Sequence, residues 1–336
     1  MKILIVRFSS IGDIVLTTPV IRTLRNQLPQ AEIHYLTKAA YTDLLAANPY
    51  LDQLHAWQPG DNAALLRTLR QARFDCVIDL HNSLRSHRLW LLLGMPKRHR
   101  FPKLNFQKWL YVNFQINRLP NIHIVDRYMK TVAPLGVTMD ELGLDFFLDP
   151  SHEFDLEWLP EHYRQGFVVY AIGGQHATKR LPYLRMIELC DRIGKPTILL
   201  GGKEDAEVGE KVEAFFAQKT DPMYADGLQA LGKRTQVLSL CGKVSVMQSA
   251  SLIRRAKAVF THDTGMMHIA AAFQKKIYSI WGNTTPQFGM YPYRTAFVVF
   301  ENNKIRCRPC SKIGHDRCPK GHFKCMNDVV FDFWIP

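Results

Sequence analysis

No stretch of this sequence is apolar for long enough to cross a bilayer. The longest near-continuous run, Leu89 to Met95, is far below the roughly 20 residues a spanning helix needs. The N-terminal run Ile3-Leu4-Ile5-Val6 breaks at Arg7, too soon for the apolar core of a secretion signal, so the chain is expected to stay in the cytoplasm. Cysteine is sparse too. Seven in 336 residues, four of them between Cys307 and Cys325, do not make a disulfide-stapled secreted scaffold and leave reduced thiols or a metal site. Charge of one sign is scarce in one region: between His81 and Lys130, ten Lys or Arg and four His face a single acid, Asp126. That region carries much of the formal charge of +13, which predicts an anionic partner of some kind.

What is present is ordinary globular material, 47% hydrophobic and 22% charged, in a length that favours two domains. Ile3 to Val6 reads as a strand, RFSSIGD as a loop, and Val20, Ile21, Leu24 and Leu28 as one face of a helix opened by Thr18 and Pro19. Glu32 to Leu36 and Cys76 to Leu80 alternate with helical pattern such as Ala63 to Ala72, the signature of βαβ units on a parallel sheet. A polar stretch from Asp149 to Gly166 precedes a fresh strand at Phe167 to Ile172, so the boundary is expected there, with domains at 1–157 and 158–336. The second half repeats the scheme, with strands at Pro196 to Leu200, Ala258 to Thr261 and Ile277 to Ile280 and a helix near Val246 to Ala256. The expected class is α/β, two Rossmann-like parallel-sheet domains. Ligands of such sheets sit beyond the carboxyl ends of the strands, which directs attention to the loops after Val6, Ile172, Leu200 and Thr261.

The first loop holds Ser9, Ser10, Gly12 and Asp13; Gly12 permits a tight turn and Asp13 is placed to take a proton or to cap the next helix. The second, GGQHATKRLP, resembles a phosphate cradle without Walker spacing, with Lys179 as its counter-charge. The third brings Glu204 and Asp205 to the same edge, where a carboxylate can accept ribose hydroxyls or favour a helix start. In the fourth, Asp263, Thr264 and Gly265 turn directly into a helix whose free N–H groups suit a diphosphate, with His268 one turn in. The basic stretch is interleaved with Trp90, Phe101, Phe106, Trp109, Tyr111 and Phe114, a composition suited to an anionic membrane surface or to single-stranded nucleic acid. Cys307, Cys310, Cys318 and Cys325, with His315 and His322 between, have a spacing compatible with a zinc knuckle or with a reduced lobe packed over the crevice.

RFSSIGDIVLTTPVIRTLR, GGQHATKRLP, THDTGMMHIAAA and SIWGNTTPQFGMYP, in this order across both halves, resemble the ADP-heptose lipopolysaccharide heptosyltransferases, glycosyltransferase family 9. The resemblance implies a GT-B architecture with acceptor on the first domain and nucleotide sugar on the second. By motif position it implies Asp13 as general base, Lys179 on the donor phosphate, Glu204 on the ribose, and Asp263, Thr264, Gly265 and His268 as the donor-binding turn. Ser10, Gly12, His81, Asn82 and Arg85 are expected to meet an acidic, lipid-linked oligosaccharide acceptor, with peripheral attachment to the inner face of the cytoplasmic membrane. Inverting transfer with a helix end and a lysine against the departing ADP calls for no cofactor and no metal in this scheme. Met267 and the pair His81-Asn82 depart from the family pattern.

Two other classes compete. A nicotinamide oxidoreductase would share the Rossmann-like halves, but the loop after the first strand has one glycine where the dinucleotide fingerprint needs three. A nucleic-acid module would use the basic stretch alone and leave the loaded loops without purpose, so no nucleic-acid partner is expected. Within glycosyl transfer, a different nucleotide sugar is the alternative.

Overall fold

The computed structural model describes residues 1–60, 62–94, 97–217 and 235–335. Met95, the end of the longest apolar run, and Pro336, the end of the expected second domain, lie outside them, as do residues 218–234.

Eleven strands are found among the described residues: β1 Lys2–Val6, β2 Glu32–Lys38, β3 Gln53–Trp57, β4 Cys76–Asp79, β5 Arg98–Arg100, β6 Val168–Ala171, β7 Thr197–Leu200, β8 Val237–Ser239, β9 Val259–His262, β10 Ile277–Trp281 and β11 Phe297–Glu301. The helices are α1 Ile11–Val15, α2 Thr18–Gln27, α3 Asp43–Ala46, α4 Ala63–Gln71, α5 Leu84–Leu93, α6 Asn105–Phe114, α7 Ile124–Met129, α8 Glu161–Arg164, α9 Tyr183–Ile193, α10 Ala206–Ala217, α11 Val246–Arg255, α12 Gly265–Ala272 and α13 Lys324–Asn327. The strands form two sheets, β3-β2-β1-β4-β5 and β11-β10-β9-β6-β7-β8, and every pair is parallel.

Parallel sheets bury both faces, and β1 shows it: Ile3 and Ile5 join one apolar cluster while Leu4 and Val6 join another on the opposite side. The first of these clusters continues through Tyr128, Phe146 and Phe167 to Val259 and Ile269, so the two lobes share a core. A further cluster covers the far side of the second sheet and is closed by the C-terminal segment through Met326, Val329 and Phe331.

Strand order reverses between β1 and β4 in the first sheet and between β6 and β9 in the second. These are the switch points where a crevice opens beyond the strand ends. The loops after β1, β6 and β9, all picked out by their composition, begin there.

Candidate active site

A cleft of about 1040 Å³ lies between the two switch points. Ser10, Gly12 and Asp13 line it from the first lobe; Lys179, Glu204, Asp263, Thr264 and Gly265 line it from the second.

Asp13 is the third residue of α1 and accepts a hydrogen bond from the Ser10 N–H at 3.2 Å and one from its hydroxyl at 3.0 Å. Capping and exposure to the cleft therefore coexist. Its other oxygen meets the Arg7 guanidinium at 2.7 Å. Arg7, itself 8% exposed, is fixed by donation to Ser9 O at 2.8 Å, Leu80 O at 2.6 Å and the Tyr128 hydroxyl at 3.1 Å. Burial pushes the Asp13 carboxyl upward, but the Arg7 charge and the Ser10 hydrogen bonds outweigh it and hold the group below the usual carboxylate range. Asp13 is ionised at neutral pH.

Lys179 reaches across its own loop to the Asp263 carboxylate at 2.7 Å and to the Asp263 carbonyl at 3.1 Å. Thr284 donates to the same carboxylate at 2.8 Å. Asp263, itself in the cleft wall, is thus charge-paired with Lys179. Asp205 is 1% exposed, accepts the Gly202 N–H at 2.9 Å and pairs with Arg180 at 2.9 Å. Of the two acids in that loop, it is Glu204 that stands exposed to the cleft and Asp205 that shapes the turn.

The N-terminus of α12 opens on the cleft through Thr264, Gly265 and Met266. It touches α1 closely. A Cβ on Gly12 would stand 3.3 Å from Gly265 Cα and 2.6 Å from the His268 ring, and one on Gly265 would stand 2.8 Å from Ile11 Cβ. No side chain fits between the two helices, so the turn that carries Asp13 and the N-terminus of α12 abut.

His268 is 2% exposed, packs behind Gly12 and is not in the cleft wall; burial brings its ring down to about 4, so it is neutral at pH 7. The ring expected to meet the donor thus stands directly behind the wall that Gly12 forms, its Nδ1 buried without a hydrogen-bond partner. His81, Asn82 and Arg85 also lie outside the lining. Asn82 donates to Phe101 O at 2.8 Å, Arg85 lies over the Phe8 ring at 5.6 Å, and His81 sets its ring edge-on to Phe8. The first-lobe cations that do line the cleft are Arg7, Lys103 and Lys108, and Lys312 joins them from the Cys-rich segment. Burial and neighbouring cations bring Lys108 down to about 8. Lys103 and Lys108 fall inside the basic stretch, but Lys312 carries no signal of its own in the sequence. Among the described residues no three His, Cys, Asp or Glu are grouped to hold a metal ion, and all seven cysteines are free thiols. Of the zinc-compatible set Cys307, Cys310, Cys318 and Cys325, Cys307 Sγ lies 3.7 Å from His322 Nε2.

Two parallel α/β lobes facing one cleft, with a carboxylate on one wall and a helix N-terminus and a lysine on the other, have the architecture of a two-lobed glycosyltransferase of the GT-B type. The chain belongs to glycosyltransferase family 9 (heptosyltransferase), whose profile matches residues 62–319. It is 24% identical to lipopolysaccharide heptosyltransferase 2 of Escherichia coli K12 over 86% of this chain and 84% of that one. The solved structure of E. coli ADP-heptose lps heptosyltransferase II is similar with a TM-score of 0.67 at 22% identity, covering 98% of each chain. E. coli heptosyltransferase WaaC with ADP is similar with a TM-score of 0.64 at 20% identity, covering 89% of this chain and 93% of that one.

Proposed function

We propose that this protein transfers heptose from ADP-heptose to a hydroxyl of the lipopolysaccharide inner core, with inversion. The observation that carries the reading is the abutment of α1 and α12, which sets Asp13 beside the helix end and lysine that suit a diphosphate. The names of the relatives, lipopolysaccharide heptosyltransferase and ADP-heptose heptosyltransferase, support the donor and acceptor classes.

In this scheme residues 158–336 hold the donor and 1–157 the acceptor. Lys179, held by Asp263, and the α12 N–H groups meet the diphosphate; Glu204 takes the ribose; Arg7, Lys103, Lys108 and Lys312 meet phosphates or carboxylates of the acceptor. Asp13 takes the proton of the attacking hydroxyl as the sugar passes through an oxocarbenium-like state. A base of lowered pKa accepts its proton late, so much of the barrier reduction falls on the charges that stabilise departing ADP, worth a few kcal/mol per donor. The acceptor is lipid-linked, and the protein attaches peripherally to the inner face of the cytoplasmic membrane.

Thermal shift with ADP, UDP, GDP and NAD tests the donor half, since a ligand bound only by the folded state raises its stability. ADP alone is expected to stabilise, and Lys179→Ala is expected to weaken ADP by on the order of tenfold through loss of a charge-assisted contact. Selective stabilisation by UDP or GDP would change the sugar nucleotide, and by NAD alone would overturn the function.

A further inference from the structure

Helix α6 is unlike the others of the first lobe, because none of its ten residues is buried. A helix normally forms by hiding an apolar stripe against the core. Here Phe106 is 66% exposed, Trp109 46% and Phe114 56%. The three rings pack on one another in the open, Phe106 on Trp109 at 6.1 Å between centroids and Trp109 on Phe114 at 5.2 Å. The other side of the helix is occupied. Tyr111 donates to Gln287 of the second lobe, Lys108 lies 5.5 Å over the Phe288 ring, and Asn105 and Lys108 line the cleft. The aromatic side is therefore the outer one.

Charge completes the pattern. Arg100, at the end of β5, and Arg118, just past the helix, are exposed, and neither has an acidic partner among the described residues. Their surroundings in the chain hold one acid in fifty residues, Asp126, whose carboxylate accepts from Tyr293. Exposed rings flanked in the chain by exposed guanidiniums without acidic partners match a surface that offers apolar depth and negative charge together, which an anionic bilayer does.

We propose that the outer face of α6 docks the protein on an anionic lipid surface, Phe106, Trp109 and Phe114 entering the interfacial layer and Arg100 and Arg118 meeting headgroups. The inference rests on the lipid-linked acceptor proposed above and deepens it: the helix that touches the bilayer with one side lines the acceptor cleft with the other, so docking holds the cleft one helix diameter, roughly 10 Å, from the membrane.

The test is sedimentation of the intact protein with vesicles of phosphatidylcholine, with and without phosphatidylglycerol. Binding is expected to require phosphatidylglycerol and to fall as salt rises. Phe106→Ser with Trp109→Ser should weaken the partition on the order of tenfold or more, while Trp109→Phe should keep most of it. Arg100→Ala with Arg118→Ala should weaken binding and flatten its salt dependence. ADP-dependent stabilisation, retained in every variant, reports that each is folded. Wild-type partition in the Phe106/Trp109 variant overturns the proposal. So does a change in oligomeric state of that variant without lipid, which would make the patch a protein contact. Docking and donor chemistry are read separately: failure to bind vesicles by a protein that still transfers sugar to a detergent-solubilised acceptor sinks the docking surface alone, and the converse sinks the transferase reading alone.

Discussion

At the scale of single residues, the pairing of Arg7 with Asp13 decides how the proposed base behaves. Burial alone would raise the carboxyl; the guanidinium at 2.7 Å and the Ser10 donors bring it below its ordinary value. A carboxylate held low in the folded state contributes stability above its unfolded pKa and loses it as pH falls through the folded value. Activity carried by ionised Asp13 is therefore expected to persist as pH falls below the ordinary Asp value of about 4, as far as other groups allow. Arg7→Met should move that acid limb upward, read from kcat/KM against pH; an unmoved limb would detach Arg7 from the base. The sequence made Asp13 visible because a strand, a glycine turn and an acid lie in a row. It hid Arg7, which reads as the residue that ends a strand until the fold brings Leu80 and Tyr128 to it. His268 shows the reverse case. The motif places it near the anion site, but three residues after Gly265 on a helix is the face that packs on α1, and the ring is buried there.

At the scale of elements, the contact of α1 with α12 joins the lobes at their most crowded point. Gly265→Ala would place a methyl 2.8 Å from Ile11 Cβ and 3.1 Å from the Gly12 nitrogen, so one helix must shift. The expected cost is about 1–3 kcal/mol of stability with a marked loss of transfer, as overpacking at a site that fixes geometry should give. Denaturant titration and a transfer assay check both; a variant as stable and active as wild type would show that the lobes need not approach so closely. The strands legible in the sequence were β1, β2, β4, β6, β7, β9 and β10, and the four that were not, β3, β5, β8 and β11, are the four sheet edges. The reason is physical. Interior strands of a parallel sheet are apolar on both faces, whereas edges are only partly covered, as Arg98-His99-Arg100 of β5 is.

At the scale of the molecule, a chain with formal charge +13 gathers six cations, Arg7, Lys103, Lys108, Lys179, Arg180 and Lys312, around a cleft whose proposed ligands are all anionic. Such a field raises local substrate concentration and makes association salt-dependent. No helix among the described residues is long and apolar enough to cross a membrane; the proposed docking on lipid uses the exposed rings of α6. In the proposed mechanism one carboxylate in the cleft removes the proton, and the opposite wall binds the nucleotide. The most direct measurement is turnover and ADP affinity side by side for Asp13→Asn. Turnover is predicted to fall by a factor on the order of a hundred or more, with ADP affinity nearly intact. Undiminished turnover would contradict the account.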